Sequence, residues 1–149
     1  MRTSRVFSAA IFSALCGCVV AASVPGTESA RAMLDAVNAQ RRAHGVRPLT
    51  LDARLNRAAA AHAHDLARTG RLSHTGSDGS KAGDRVDRAG YRWSEVAENL
   101  AESTATSPSA IVADWMRSRP HRKNMLNGAY RDLGVGHEGR IWVIVLGKE

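Results

Sequence analysis

Asp132-Leu-Gly-Val-Gly-His-Glu-Gly-Arg-Ile-Trp-Val-Ile-Val-Leu-Gly147 reads as a β-hairpin. Branched and aromatic residues fill both arms, and Glu138-Gly139 supplies the turn. Val143 to Leu146 is apolar without alternation, which suits a buried central strand. Helical patterns precede this hairpin. Glu98-Asn99-Leu100 lies inside a further short strand, Val96 to Ala101, while helices come first in the chain and antiparallel strands close it. That order predicts an α+β sandwich in which helices cover a small antiparallel sheet.

Upstream, Thr27 is placed to cap a helix starting at Glu28, with Ala30, Met33, Leu34 and Val37 recurring at helical spacing. Gly45 ends it, and Pro48 makes the following linker extended. Asp52 caps a second helix whose apolar stripe is Leu55, Ala58, Ala59, His62, Ala63 and Leu66, closed by Gly70. His62 therefore belongs to the core or a cleft wall, and His64 points elsewhere. Leu72 to Ser80 is loop chemistry, and Lys81 to Ala89 a short helix before Gly90. Ser107 and Pro108 open a helix with Ile111, Val112 and Trp115 on its apolar face. His121 to Leu126 forms another short helical piece, which starts at Pro120.

The 149 residues suffice for one domain. Residues 1–23 read as a signal peptide, 24–29 as a short linker and 30–149 as the domain. Arg2 and Arg5 precede an apolar run from Val6 to Leu15, too short to span a bilayer but suited to export. Leu15-Cys16-Gly17-Cys18 resembles a lipobox, so lipidation of Cys18 is the favoured reading, with cleavage after Ala22 or Ser23 as the other. Both cysteines lie in this leader, so no disulfide staples the domain. The formal charge of +7 falls to +5 when Arg2 and Arg5 leave. The basic excess is dispersed and not interleaved with aromatics, which speaks against nucleic acid and for a solvated surface near anionic envelope material.

Three polar clusters remain outside the predicted core: Ser73-His74-Thr75, Glu98-Asn99, and Ser118 with His121-Arg122-Lys123-Asn124. Histidine and glutamate suit acid–base work near neutrality or a divalent metal. Their separations in sequence leave only a fold to bring them together. There is no Gly-x-Ser-x-Gly elbow, His-Glu-x-x-His helix, paired Cys-x-x-Cys or phosphate loop.

Five ordered segments resemble the CAP superfamily of cysteine-rich secretory, antigen 5 and pathogenesis-related proteins, nearest its bacterial disulfide-free branch. They are Leu34-x-x-Val37-Asn38-x-x-Arg41, Leu72 to Gly79, Ala89-Gly90-Tyr91 before Glu98-Asn99-Leu100-Ala101, Trp115 to Leu126, and Gly134-Val135-Gly136 with Trp142. The resemblance implies an α-β-α sandwich with a central cleft. It carries a His-Glu-Glu-His tetrad onto His74, Glu98 and His121, with Ser118 in place of the second glutamate. It also implies that His74 and His121, assisted by Glu98, are candidate ligands for a divalent cation such as zinc. Asn99 and Asn124 read as turn amides, Trp115 and Trp142 as core, and Tyr91 and Trp93 as core or cleft rim.

The resulting expectation is an exported, monomeric, non-enzymatic binding or interaction module. Its cleft, lined by His74, Glu98, Ser118 and His121, would take a lipid, another amphipathic ligand or an envelope component. Contact with a membrane would come only through a lipid anchor. The alternative is a zinc hydrolase acting on peptide or cell-wall bonds, with His74, Glu98 and His121 as its catalytic candidates.

Overall fold

The computed structural model describes residues 25–149 except 106. The expected leader, its cleavage point and Cys18 lie outside the described residues. Among those described, no helix is long and apolar enough to cross a membrane.

The elements are α1 (Pro25–Ala43), β1 (Thr50–Leu51), α2 (Ala53–Thr69), α3 (Ala82–Arg88), β2 (Glu95–Glu102), α4 (Pro108–Arg117), α5 (Arg119–Leu126), β3 (Asp132–Glu138) and β4 (Ile141–Lys148). The sheet order is β1-β3-β4-β2, so β4 is interior, as its apolar run predicts. Two antiparallel ladders join β3, β4 and β2, but β1 runs parallel to β3 through Thr50 and Leu51. The sheet is therefore mixed and not purely antiparallel. Two residues after Pro48 are too few to show alternation, which hid β1 in the sequence.

Two boundaries also move. Helix α1 starts at Pro25, so Thr27 lies inside it and most of the supposed linker is its first turn. A proline at the first helical position lacks an N–H that would have no partner there anyway. At the hairpin, Glu138 pairs with Ile141, which makes Gly139-Arg140 the loop. Gly139 takes φ +56°, the conformation that a two-residue turn demands at its first position.

Alternation along β4 builds two cores. Trp142, Ile144 and Leu146 join Leu133 and Val135 beneath α1, α4 and α5. Val143 and Val145 face the other way, with Leu100 and Tyr91, against α2 and Val86 of α3. Helix α2 sits unusually near the sheet. A Cβ on Gly134 would fall 2.2 Å from the Leu55 backbone, and one on Gly136 would fall 2.2 Å from the Ala59 carbonyl. This pair of glycines and the alanines of α2 explain each other: small groups on both sides let helix and strand backbones approach.

The predicted caps of α2 and α4 form. Asp52 accepts from the backbone N–H groups of Arg54 and Leu55, Gly70 closes α2 at φ +65°, and Ser107 accepts from Ala110 N. Asn38 of the α1 motif exchanges two bonds with Leu49, at 2.9 and 2.8 Å, and so fixes the segment leading into β1. Edge strand β2 is not left bare. Trp115 Nε1 donates to the Leu100 carbonyl at 3.0 Å, and Asn124 Nδ2 to the Glu98 carbonyl at 3.4 Å.

Candidate functional site

Glu98 projects from β2 onto the α2 side of the sheet, opposite Val145 of β4. Its side chain is 3% exposed, so the carboxylate needs partners there. It has two strong ones. Arg85 Nη2 of α3 donates to Oε2 at 2.7 Å, and His74 Nδ1 lies 2.8 Å from Oε1. A carboxylate accepts, so His74 carries its proton on Nδ1 and presents Nε2 outward as an acceptor. The His74 side chain is 60% exposed. A buried carboxylate thus holds a surface imidazole in one tautomer.

His62 completes the cluster from α2. Its Nε2 sits 2.9 Å from the Ser73 carbonyl and 3.8 Å from Glu98 Oε1. Donation to that carbonyl leaves Nδ1 as a buried atom with no partner. Burial, helped by the nearby Arg85 charge, lowers the His62 pKa. The ring is neutral and orients the loop through Ser73.

Arg85 was not among the residues that the sequence singled out. It is also the residue that decides the electrostatics, being itself buried and donating to the Ser80 and His74 carbonyls. Seven-residue α3 has one buried apolar side chain, Val86, and so gives no period from which to see its neighbour turned inward.

His74 and Glu98 are brought into contact, whereas His121 and Ser118 join neither of them by a hydrogen bond. His121 lies in the first turn of α5 and is half-buried edge-on to Trp115, with ring centroids 6.4 Å apart. Burial, with a smaller contribution from the nearby His74, lowers its pKa. Its carbonyl accepts from Asn99 Nδ2 at 3.1 Å, and Asn124 Nδ2 donates to Asn99 Oδ1 at 2.9 Å. The two amides therefore lash α5 to β2. Ser118 lies between α4 and α5 in extended backbone, so it shares no continuous helix with His121. Besides His74, the side chain that bonds Glu98 is Arg85. Among the described residues, no three histidine, cysteine or acidic side chains are grouped to hold a metal.

Behind this cluster a groove of about 470 Å³ opens between α2 and α3. Ala58, Ala61 and Ala89 form an apolar floor, and His62 and Arg85 belong to its wall. Asp65, Ser77 and Asp78 line the loop side. Bonds from Ser77 lower the Asp65 carboxyl to about 2, so it is ionised. Neither proposed rim aromatic lines the groove. Tyr91 is 1% exposed and donates to Asp132 at 2.8 Å, whereas Trp93 lies over Gly83 with its Nε1 on Asp87.

Known proteins share this fold. A model of the cysteine-rich secretory protein family, CAP, matches residues 34–140. The uncharacterised Bacillus subtilis protein YkwD is 32% identical over 124 residues, 80% of this chain. The uncharacterised membrane protein YlbC of that organism is 32% identical over 110 residues, 74% of this chain. The chain spans only 48% and 32% of their lengths. An extracellular protein containing an SCP domain from Bacillus anthracis superposes with a TM-score of 0.76 at 26% identity, over 80% of this chain and 40% of that one. An outer surface protein of Borrelia burgdorferi gives 0.75 at 20% identity, over 85% and 96%, a likeness of fold alone.

Proposed function

Because this chain belongs to the cysteine-rich secretory protein (CAP) family, we propose that it is an extracellular ligand-binding module. Its site is the α2–α3 groove, whose polar wall includes His62 and Arg85, the two groove residues that approach the buried Glu98. One observation carries this reading: His62 and Arg85 belong both to the buried cluster and to the groove lining. The volume is that of an ordinary small-molecule site, and an alanine floor beside charged walls suits an amphipathic ligand. Export is supported by the Bacillus anthracis protein, which is named as extracellular. Anchoring through a lipidated Cys18 is the corresponding proposal for how the domain is retained.

The zinc hydrolase reading fits the donor set poorly. Both Glu98 oxygens are engaged, one by a buried guanidinium, so the carboxylate cannot bind a cation without giving up a partner. His74 and His121 alone are short of the three protein ligands of a catalytic zinc site.

Dansyl-undecanoate fluorescence tests the groove. Wild type should bind the probe, and Ala61→Trp, which fills the floor, should lose at least about tenfold in affinity. Unchanged binding by the Trp variant would remove the groove from consideration. In parallel, zinc is titrated into wild type and the His74→Ala/His121→Ala pair. Tight binding confined to wild type would restore the metal reading.

A further inference from the structure

We propose that the surface around the C-terminal end of α1 and the exposed face of α5 binds a flexible phosphodiester polyanion. The two longest stretches without an acidic residue among the described residues are 36–51 and 115–131. The fold brings them together. Buried Arg41 is the hub: its guanidinium donates to the carbonyls of Arg47 at 2.7 Å, Met125 at 2.7 Å, Asn127 at 3.0 Å and Tyr130 at 3.4 Å. Around it stand Arg42, Arg47, Arg119, Arg122, Lys123 and Arg131, all exposed. Arg122 Nη2 approaches His44 Nε2 at 3.5 Å, so the two stretches meet at their surfaces as well.

None of these six cations lies within 4.0 Å of a carboxylate oxygen among the described residues, whereas Arg54, Arg68, Arg85 and Arg88 of α2 and α3 all do. Arg57 and Lys81 on that side bond a carbonyl and a hydroxyl instead, so what marks the surface around Arg41 is six carboxylate-free cations on two adjoining segments. Crowded like charges with no partner are costly unless an anion neutralises them.

Five of the six are arginines, whose planar forks match phosphate oxygens. The patch offers no Phe, Tyr or Trp on which bases could stack: among the described residues the exposed large apolar side chains are Leu72 and Trp93, on other segments. For the same reason it has nothing to insert into a bilayer. A charged polymer without bases, long enough to touch several guanidinium groups, fits better than either nucleic acid or membrane.

Poly(glycerol phosphate) is the probe, with phosphatidylglycerol vesicles and single-stranded DNA as comparators. The polymer should bind most tightly. Its affinity should fall roughly fifty-fold between about 50 and 200 mM salt, as for about four neutralised phosphates on a flexible strand. The variant Arg42→Gln/Arg47→Gln/Arg122→Gln/Lys123→Gln should lose about tenfold or more. A control losing the same charge elsewhere, Arg68→Gln/Arg88→Gln/Arg140→Gln/Lys148→Gln, should lose far less, with circular dichroism confirming that both are folded. Equal losses in the two variants, no binding at low salt, or tighter binding to vesicles or DNA would each overturn the proposal. His74→Ala should leave polymer binding unchanged, which separates this surface from the Glu98–His74 cluster.

Discussion

The two faces of the sheet bury one arginine each and satisfy it in opposite ways. On the α1 side Arg41 is fully buried and bonded only to backbone carbonyls. On the α2 side Arg85 meets a carboxylate, Glu98, whose other oxygen holds an exposed histidine. A cation tied to carbonyls can only brace the backbone that supplies them. A cation tied to a carboxylate sets the properties of whatever that carboxylate touches. The first arrangement fastens α5 in place, and the second orients His74 for contact with solvent or ligand.

The largest expected effect breaks the brace. Arg41→Leu leaves four carbonyls without a donor and should cost about 4 to 5 kcal/mol in urea denaturation. Because the partners are backbone, no second substitution should recover that loss. Next, Glu98→Ala strands the Arg85 charge and should cost about 3 kcal/mol, yet Arg85→Met/Glu98→Leu should regain most of it. A double variant as unstable as the single would erase the distinction between the faces.

Acidification gives a smaller, sharper test. His62 and His121 both have lowered pKa values in the fold, with burial as the main cause. The unfolded chain therefore takes up protons first as pH falls below about 6.5. Stability should be level above that pH and decline below it, measured as melting temperature between about pH 8 and 5. His62→Gln should flatten part of the decline. The smallest stability effect belongs to His74→Ala, about 1 kcal/mol, because buried Glu98 loses one of its two strong partners while the ring itself is mostly exposed. The same change should leave dansyl-undecanoate binding unchanged, because His74 does not line the groove.

Much of the fold was legible in the sequence because it is written in local rules. Asp52, Gly70 and Ser107 cap as their chemistry predicts, and the α2 stripe is buried residue for residue. The parallel strand β1 was not legible, since Thr50 and Leu51 pair through a long-range ladder that leaves no periodic mark. Of the site, the His74–Glu98 contact follows the family resemblance. The loss of the second carboxylate was read at Ser118, but the structure places Arg85, from a helix too short to read, against Glu98. The net charge was legible as a total, while its concentration around Arg41 depends on a fold that joins distant segments.

The central claim is that buried Glu98 fixes His74 as the Nδ1–H tautomer with Nε2 free. Long-range proton–nitrogen correlation spectra of the histidine rings at about pH 8 test it directly. The account predicts a single Nδ1–H form for His74 and a single Nε2–H form for His62, with His74 reverting to averaged tautomers in Glu98→Ala. An Nε2–H or averaged His74 in the wild type would contradict it.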